Sequence, residues 1–88
     1  MLELRLRSGT RVAFDGRVVE IFDGRGPSRR YHVEHVSVAA VDAAADGGRI
    51  VAFGEPVTAI EFAGDEAPAC ARLLAAIADA QAAAPRGG

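Results

Sequence analysis

Two histidines three residues apart are the first residues in this 88-residue chain whose types and spacing could do chemistry. On a β-strand, His32 and His35 would point to opposite faces and could not bind one metal ion, whereas on a helical turn their side chains could meet. No cysteine lies near them, and Glu34 alone does not complete the ligand set that zinc needs. We therefore predict no metal site.

Cys70 is the only cysteine of the chain, and it lies on the apolar stripe of a predicted helix. A buried thiol behaves there as a small hydrophobic group with a raised pKa, whereas an exposed thiol near a helix N-terminus could have a lowered one. No histidine can be assigned as its base. We predict no catalytic residue, no cofactor and no enzyme activity. A single cysteine also excludes an internal disulfide, which favours a cytoplasmic location.

A loop at residues 24–30 contains three arginines and two glycines. Its arginines, Arg25, Arg29 and Arg30, could hold a phosphate or carboxylate through bidentate contacts. Its glycines do not form a phosphate-binding motif, because no helix follows them. A solvated hairpin tip is the simpler interpretation. Binding of an anion or a membrane lipid headgroup through this loop is therefore the alternative function, and the less favoured one.

The charges are unevenly spread, although the net charge is only −2. Residues 1–30 hold seven arginines and four acidic residues, a net of +3, whereas residues 31–88 hold three arginines and eight acidic residues, a net of −5. Solvated arginines on edge strands explain the basic bias more simply than an anionic partner does. Because the chain is acidic and Tyr31 is the only aromatic residue beside the arginines, we expect no nucleic-acid binding.

One amphipathic helix is predicted near the C-terminal end of the sequence. Cys70, Leu73, Leu74 and Ile77 recur at the i, i+3, i+4 and i+7 spacing of one helical face, and most remaining positions are alanine. Asp65 is predicted to cap the N-terminus of this helix. The stripe is narrow, so the helix must dock on another element to be stable.

Short strands separated by turns are predicted before the helix. Alternating hydrophobicity and turn residues place them at 2–7, 11–14, 17–22, 29–36, 38–42, 49–53 and 57–62. Asp15-Gly16 is the strongest hairpin signal, and the segment 36–45 stays open between a strand and a helical turn. The predicted class is α+β, mostly β: an antiparallel, strongly bent sheet or partly open barrel of about seven strands, capped by the helix. We expect one domain at 1–83 and a disordered tail at 84–88.

Two of the predicted strands are apolar on both faces. Val18 and Phe22 lie opposite the core-facing residues of the strand 17–22, and Val51 and Phe53 do so in the strand 49–53. Either the sheet folds over itself and covers these residues, or they form a surface for another chain. We predict a non-enzymatic binding or assembly module that associates with a protein partner, or with itself as a homodimer, through this apolar face or an edge strand.

The order of elements, antiparallel strands followed by one C-terminal amphipathic helix, resembles the pleckstrin-homology (PH) superfold. More narrowly, the chain is similar to the short PH-like domains of uncharacterised actinobacterial proteins. The residues that carry the resemblance are those at 12–21, 31–36, 46–53 and 60–62, which lead into the helix.

The resemblance implies a binding role. PH-like domains bind phosphoinositides, peptides or partner domains, and the lipid-binding kind presents a loop rich in lysine and arginine between its first two strands. The corresponding loop here, residues 7–11, contains two arginines and no lysine. This departure from the family pattern disfavours phosphoinositide binding.

Overall fold

The computed structural model describes residues 2–24 and 26–83. Its strands are β1 (Leu2–Arg5), β2 (Arg11–Phe14), β3 (Val18–Phe22), β4 (Arg29–His32), β5 (Ser37–Ala44), β6 (Gly47–Phe53) and β7 (Thr58–Ala63). The helix α1 covers Ala67–Ala83, and two 3-10 turns cover Val33–His35 and Gly64–Glu66. The chain is therefore mostly β, with one α-helix after the strands.

The first sheet contains β1 to β4 in sequence order, and each neighbouring pair is antiparallel. Leu4, Val12 and Ile21 stand side by side across three strands and are buried, as the period-two pattern predicts. The β2–β3 hairpin turns at Asp15 and Gly16. Gly16 takes a φ of 101°, and the Asp15 carboxylate accepts two backbone N–H groups at 2.8 Å. The hairpin prediction is confirmed.

The second sheet contains β5, β6 and β7, again antiparallel and in sequence order. β6 is the central strand. Its first residue, Gly47, has a φ of 140°, and a Cβ at this position would collide with the carbonyl oxygen of Phe62 on β7. Glycine is therefore required at the start of β6. The register between β5 and β6 shifts between Val41 and Ala44, where Asp42 takes a φ of 53°.

The α+β class is confirmed, but the arrangement of the strands differs from the prediction. We expected one strongly bent sheet or a partly open barrel, whereas the strands form two separate sheets. The fourth strand ends at His32, and a 3-10 turn replaces its predicted end. Val33 and Val36 are both buried, and residues three apart share one side of a 3-10 turn but not of a strand. The open segment 36–45 becomes strand β5.

The helix α1 contacts strands of both sheets: β1 in the first, and β5 and β7 in the second. Its predicted stripe is confirmed, because Cys70, Leu73 and Ile77 are buried and Leu74 packs partly buried against the core. The Gln81 side chain adds a polar anchor by donating to the Val33 and Val36 carbonyls at 3.0 and 2.7 Å. The helix therefore holds both sheets around one core.

The start of the helix differs from the prediction that Asp65 caps it. Asp65 forms an ion pair with the Arg7 side chain and lies within the 3-10 turn that precedes α1. The Glu66 carboxylate accepts the Ala63 N–H at 2.9 Å, in front of that turn, and the Arg7 N–H at 3.0 Å. These carboxylates therefore fix the chain that enters the helix, and neither caps the first N–H groups of α1.

The core contains residues from the helix, from the 3-10 turn at Val33–His35 and from both sheets. Its buried members are Leu4, Leu6, Val12, Phe14, Val19, Ile21, Tyr31, Val33, Val36, Ile50, Ala52, Ile60, Phe62, Cys70, Leu73 and Ile77. A buried polar contact also joins the sheets: the Tyr31 hydroxyl hydrogen-bonds with the Thr58 hydroxyl and donates to the Pro56 carbonyl at 2.5 Å. The two sheets therefore share one core.

Two predictions concern the limits of the chain. Residues 84–88, predicted to form a disordered tail, lie outside the described residues, and the single domain at 1–83 stays a prediction. Across 2–24 and 26–83, none of the helices has the length and apolar character needed to cross a membrane.

Candidate interaction surface

The outer face of the second sheet is the side that its strands turn away from the core. Successive residues of a strand point to opposite faces. Ile50 and Ala52 of β6 belong to the core, so Arg49, Val51 and Phe53 lie on the outer face. The register then places their neighbours on β5 and β7. We define the outer face as Ser37, Ala39, Val41, Arg49, Val51, Phe53, Ala59 and Glu61, with Val57, which directly precedes β7.

The middle row of the outer face combines one branched side chain with two small ones. Val51 pairs with Ala39 on β5 and with Ala59 on β7. Val51 is only 9% exposed, yet it does not belong to the core cluster. Val51 is therefore a buried hydrophobic residue on this side of the sheet, and most of the surface of the middle row that a partner can reach belongs to its neighbours.

One end of the outer face carries two exposed hydrophobic residues. Phe53 pairs with Ser37, and Val57 directly precedes β7, one residue beyond the last pair of the β6–β7 register, Ala52 with Thr58. Phe53 is 50% exposed and Val57 is 61% exposed, and they are the exposed large hydrophobic residues of the described chain. A phenylalanine offers about 150–250 Å², so covering the exposed half would contribute on the order of 2 kcal/mol at about 25 cal/mol per Å².

The opposite end of the outer face is charged. Arg49 pairs with Val41 on β5 and with Glu61 on β7. Its guanidinium forms an ion pair with Asp42 at 2.9 Å, toward the β5 side of the sheet. Within the described residues, Glu61 forms neither a hydrogen bond nor an ion pair. The face therefore changes from apolar to charged along the strands.

The predicted interface residues Val18 and Phe22 do not join this surface. They lie on the outer face of the first sheet, separated by Glu20. The Arg11 guanidinium covers the Phe22 ring, 4.4 Å from its centroid, and Arg30 lies 3.8 Å from the Glu20 carboxylate. The structure brings together Val51 and Phe53 but places Val18 and Phe22 on another sheet, among charged side chains.

The arginines proposed for anion binding do not converge where the structure describes them. Arg25 lies outside the described residues. Arg29 and Arg30 are consecutive in β4, so their side chains leave the strand on opposite faces. Arg29 lies 3.5 Å from the Thr58 hydroxyl and 4.0 Å from the Asp23 carboxylate. Anion binding by this loop stays a prediction.

The two histidines meet in the way that a helical turn allows. The 3-10 turn brings the ring centroids of His32 and His35 to 5.8 Å, and His32 Nδ1 accepts the Glu34 N–H at 3.3 Å. No group of three or more potential ligands that could hold a metal ion occurs within residues 2–24 and 26–83. The two exposed rings therefore lie side by side on the connection between the sheets.

Cys70 lies among the buried residues of α1. Burial, with a smaller contribution from the negative charge of Glu66, raises the pKa of its thiol. The thiol is thus held in its neutral form, which is a weak nucleophile. Cys70 acts here as a small hydrophobic residue of the core.

The sequence analysis missed Val57 and the charged pair Arg49 and Glu61. Their signal is present in the predicted strand 57–62, because Thr58, Ile60 and Phe62 alternate toward the core and leave the intervening positions on the other face. The pairing of β6 with β7 is the additional fact that assembles them into one surface.

Comparison of the chain with protein-family models, curated proteins and solved structures found no match. The resemblance to PH-like domains stays a prediction.

Proposed function

We propose that this protein is a non-enzymatic assembly module with a PH-like arrangement, and that it associates with a second copy of itself through the outer face of the second sheet. The observation that carries the proposal is the exposure of two large hydrophobic residues on the second sheet, Phe53 at the end of β6 and Val57 directly before β7. Folding has buried the other large hydrophobic residues of the described chain wholly or in part.

An exposed apolar cluster of this kind supports contact with another protein. Aromatic residues are enriched in protein interfaces, and charged residues are depleted at interface centres. The middle and apolar rows of the outer face contain no charged residue, while the charged row lies at one end. The outer face thus has an apolar end that could be covered by a partner and a charged end that is solvated in the single copy.

The order of elements supports the PH-like part of the proposal. Two antiparallel sheets are followed by a C-terminal helix, and that helix contacts strands from both sheets. Fold alone does not imply function, so the proposed association is argued from the outer face and not from the architecture.

The available chemical groups support a role without catalysis. Cys70 is buried with a raised pKa. The neighbouring imidazoles of His32 and His35 lie on the connection between the sheets. Among residues 2–24 and 26–83, the buried Cys70 has no histidine beside it that could act as its base.

The size of the surface indicates weak association. Strand spacing of about 4.8 Å and a rise of about 3.4 Å per residue give three strands and three rows a footprint of about 10 Å by 14 Å. Stable specific interfaces bury about 1,200–2,000 Å² in total. We therefore expect a weak dimer that dissociates on dilution.

The experiment that tests the proposal is sedimentation velocity of the wild type and of Phe53→Asp over a wide concentration range. The wild type is expected to shift toward a dimer with rising concentration, and Phe53→Asp to remain a monomer, because burying an unpaired carboxylate is costly. Ala71→Asp is the matched control: it adds the same charge at an exposed position on α1 and should associate as the wild type does.

Two results would contradict the proposal. One is a wild type that remains monomeric at the highest concentration. The other is a Phe53→Asp variant that associates as strongly as the wild type while its circular dichroism remains native. If Ala71→Asp were to lose association as well, the effect would be one of net charge and not of the outer face.

A further inference from the structure

We infer that the two copies meet in one register, with a two-fold axis that runs parallel to the strands between β6 and β7. This inference rests on the proposed self-association and specifies its geometry. It places Arg49 against Glu61 of the partner subunit, Val51 against Ala59 of the partner subunit, and Phe53 against Val57 of the partner subunit.

In a two-fold interface the same patch is used on both copies, so if one residue contacts a second, the second contacts the first. β6 and β7 are neighbours whose register pairs Arg49 with Glu61 and Val51 with Ala59. The two-fold axis is parallel to these strands and lies midway between them. A rotation by 180° about it places β6 of one copy over β7 of the other. The position of each row along the strand direction does not change.

The side chains in each row complement one another under this rotation. The middle row sets the 9% exposed Val51 against the small and exposed Ala59 of the partner subunit. The apolar row sets Phe53 against Val57 of the partner subunit, which covers the two most exposed large hydrophobic residues. Each large side chain thus meets a smaller one, so the two faces can approach closely.

The charged row favours an axis between β6 and β7 over an axis centred on β6. Arg49 already contacts Asp42 at 2.9 Å, but a guanidinium has five N–H donors and can bind a second carboxylate. Glu61 has no hydrogen-bond or ion-pair partner within the described residues. The rotation brings each copy's Arg49 to the other copy's unpaired Glu61, and an axis centred on β6 would instead place two arginines together.

The test is a charge exchange at constant ionic strength, followed by sedimentation velocity. Arg49→Glu places two carboxylates in each contact, and Glu61→Arg places two guanidinium groups there, so each variant alone is expected to weaken dimer formation by about tenfold or more. A mixture of the two variants restores both opposite-charge contacts. The mixed dimer is expected to form within about threefold of the wild-type Kd.

The fold of the first variant needs its own control, because Arg49→Glu removes the ion pair with Asp42. The double variant Arg49→Glu with Asp42→Asn relieves this local repulsion, and asparagine tolerates the positive φ at position 42. If Arg49→Glu is unstable by thermal unfolding, the mixing experiment is done with this double variant.

The outcomes separate the register from the proposed function. If Phe53→Asp abolishes association but the charge variants associate as the wild type does, the register is wrong. The outer face would then remain the interface. Mixing that fails to restore association would also overturn the register. A wild type that is monomeric throughout overturns both.

Discussion

The two sheets each bury one face against the same core, and their outer faces differ in how the remaining side chains are used. On the first sheet, Arg5 pairs with Glu3 at 2.7 Å, and Arg11 covers the ring of Phe22. On the second sheet, Phe53 stays half exposed with no charged residue in its row. A folded core requires only one apolar face per sheet, so the apolar outer face of the second sheet calls for another explanation.

The edges of the sheets show the same contrast. The edge strand β4 carries two consecutive arginines, Arg29 and Arg30, which protect an edge from pairing with other chains. The edge strand β5 contains no charged residue in its first five positions, 37–41. Charge that keeps a surface solvated is therefore concentrated on the first sheet, and the second sheet has both an apolar face and an uncharged edge segment.

The largest expected effect is the loss of stability caused by a substitution in the core that both sheets share. Leu73 on α1 is 1% exposed, and Leu73→Ala should lower the free energy of unfolding by about 2–5 kcal/mol through lost burial and a cavity. Urea unfolding followed by tyrosine fluorescence, which reports Tyr31, and by circular dichroism should give one transition. Ala75→Ser, at an exposed position of the same helix, is the control. Two separate transitions in the wild type would contradict a shared core.

A smaller effect distinguishes the two outer faces directly. Phe22→Ala removes a half-buried ring and its contact with Arg11, a contact worth about 0.5–1 kcal/mol, so it should lower stability and leave the solution mass unchanged. Phe53→Ala should do the reverse, with weaker association and nearly unchanged stability of the monomer. Equal effects of the two substitutions on mass, measured by sedimentation, would remove the distinction between the faces.

The smallest expected effect concerns acid stability of the β2–β3 hairpin. Hydrogen bonds from the backbone N–H groups of Val18 and Arg17 lower the pKa of the exposed Asp15 carboxyl. A carboxyl with a lowered pKa in the folded state stabilises the fold when ionised, and this contribution disappears as the pH falls through the lowered pKa. The stability difference between the wild type and Asp15→Asn should be present at neutral pH and shrink in strongly acidic solution. A difference that does not change with pH would contradict this account.

Much of the local structure could be predicted because it depends on neighbours in the sequence. Alternation placed Leu4 and Val12 in the core, the pair Asp15 and Gly16 formed its hairpin, and the spacing around Leu73 buried the helix stripe. These features follow from the period of side-chain direction and from backbone preferences at a turn.

The arrangement in space could not be predicted by the same means. The 3-10 turn at Val33–His35 separates the last strand of the first sheet from the first strand of the second. His32 is the N-cap of this turn, and Val33 and Val36 are both buried in the core. Periodicity in one segment contains no information on contacts with distant segments. For this reason Val18 and Val51 looked equivalent in the sequence, although their strands lie in different sheets.

The candidate surface was therefore predicted in part. The pattern predicts that Val51 and Phe53 lie opposite the core-facing residues of their strand, where Val51 is buried and Phe53 is half exposed, but it does not identify their neighbours on β7. Val57 and Glu61 enter the surface only because β7 pairs with β6 and not with a strand of the first sheet. Pairing between strands is a long-range property, and it decides which residues of an amphipathic strand become one surface.

The most direct test of the central claim is the mass of the wild-type protein in solution, measured by light scattering across a wide concentration range. The chain has a mass of 9.1 kDa. Self-association through the outer face predicts a mass that rises from this value toward twice this value as concentration increases, and returns on dilution. A mass that stays at 9.1 kDa up to the highest concentration would contradict the claim.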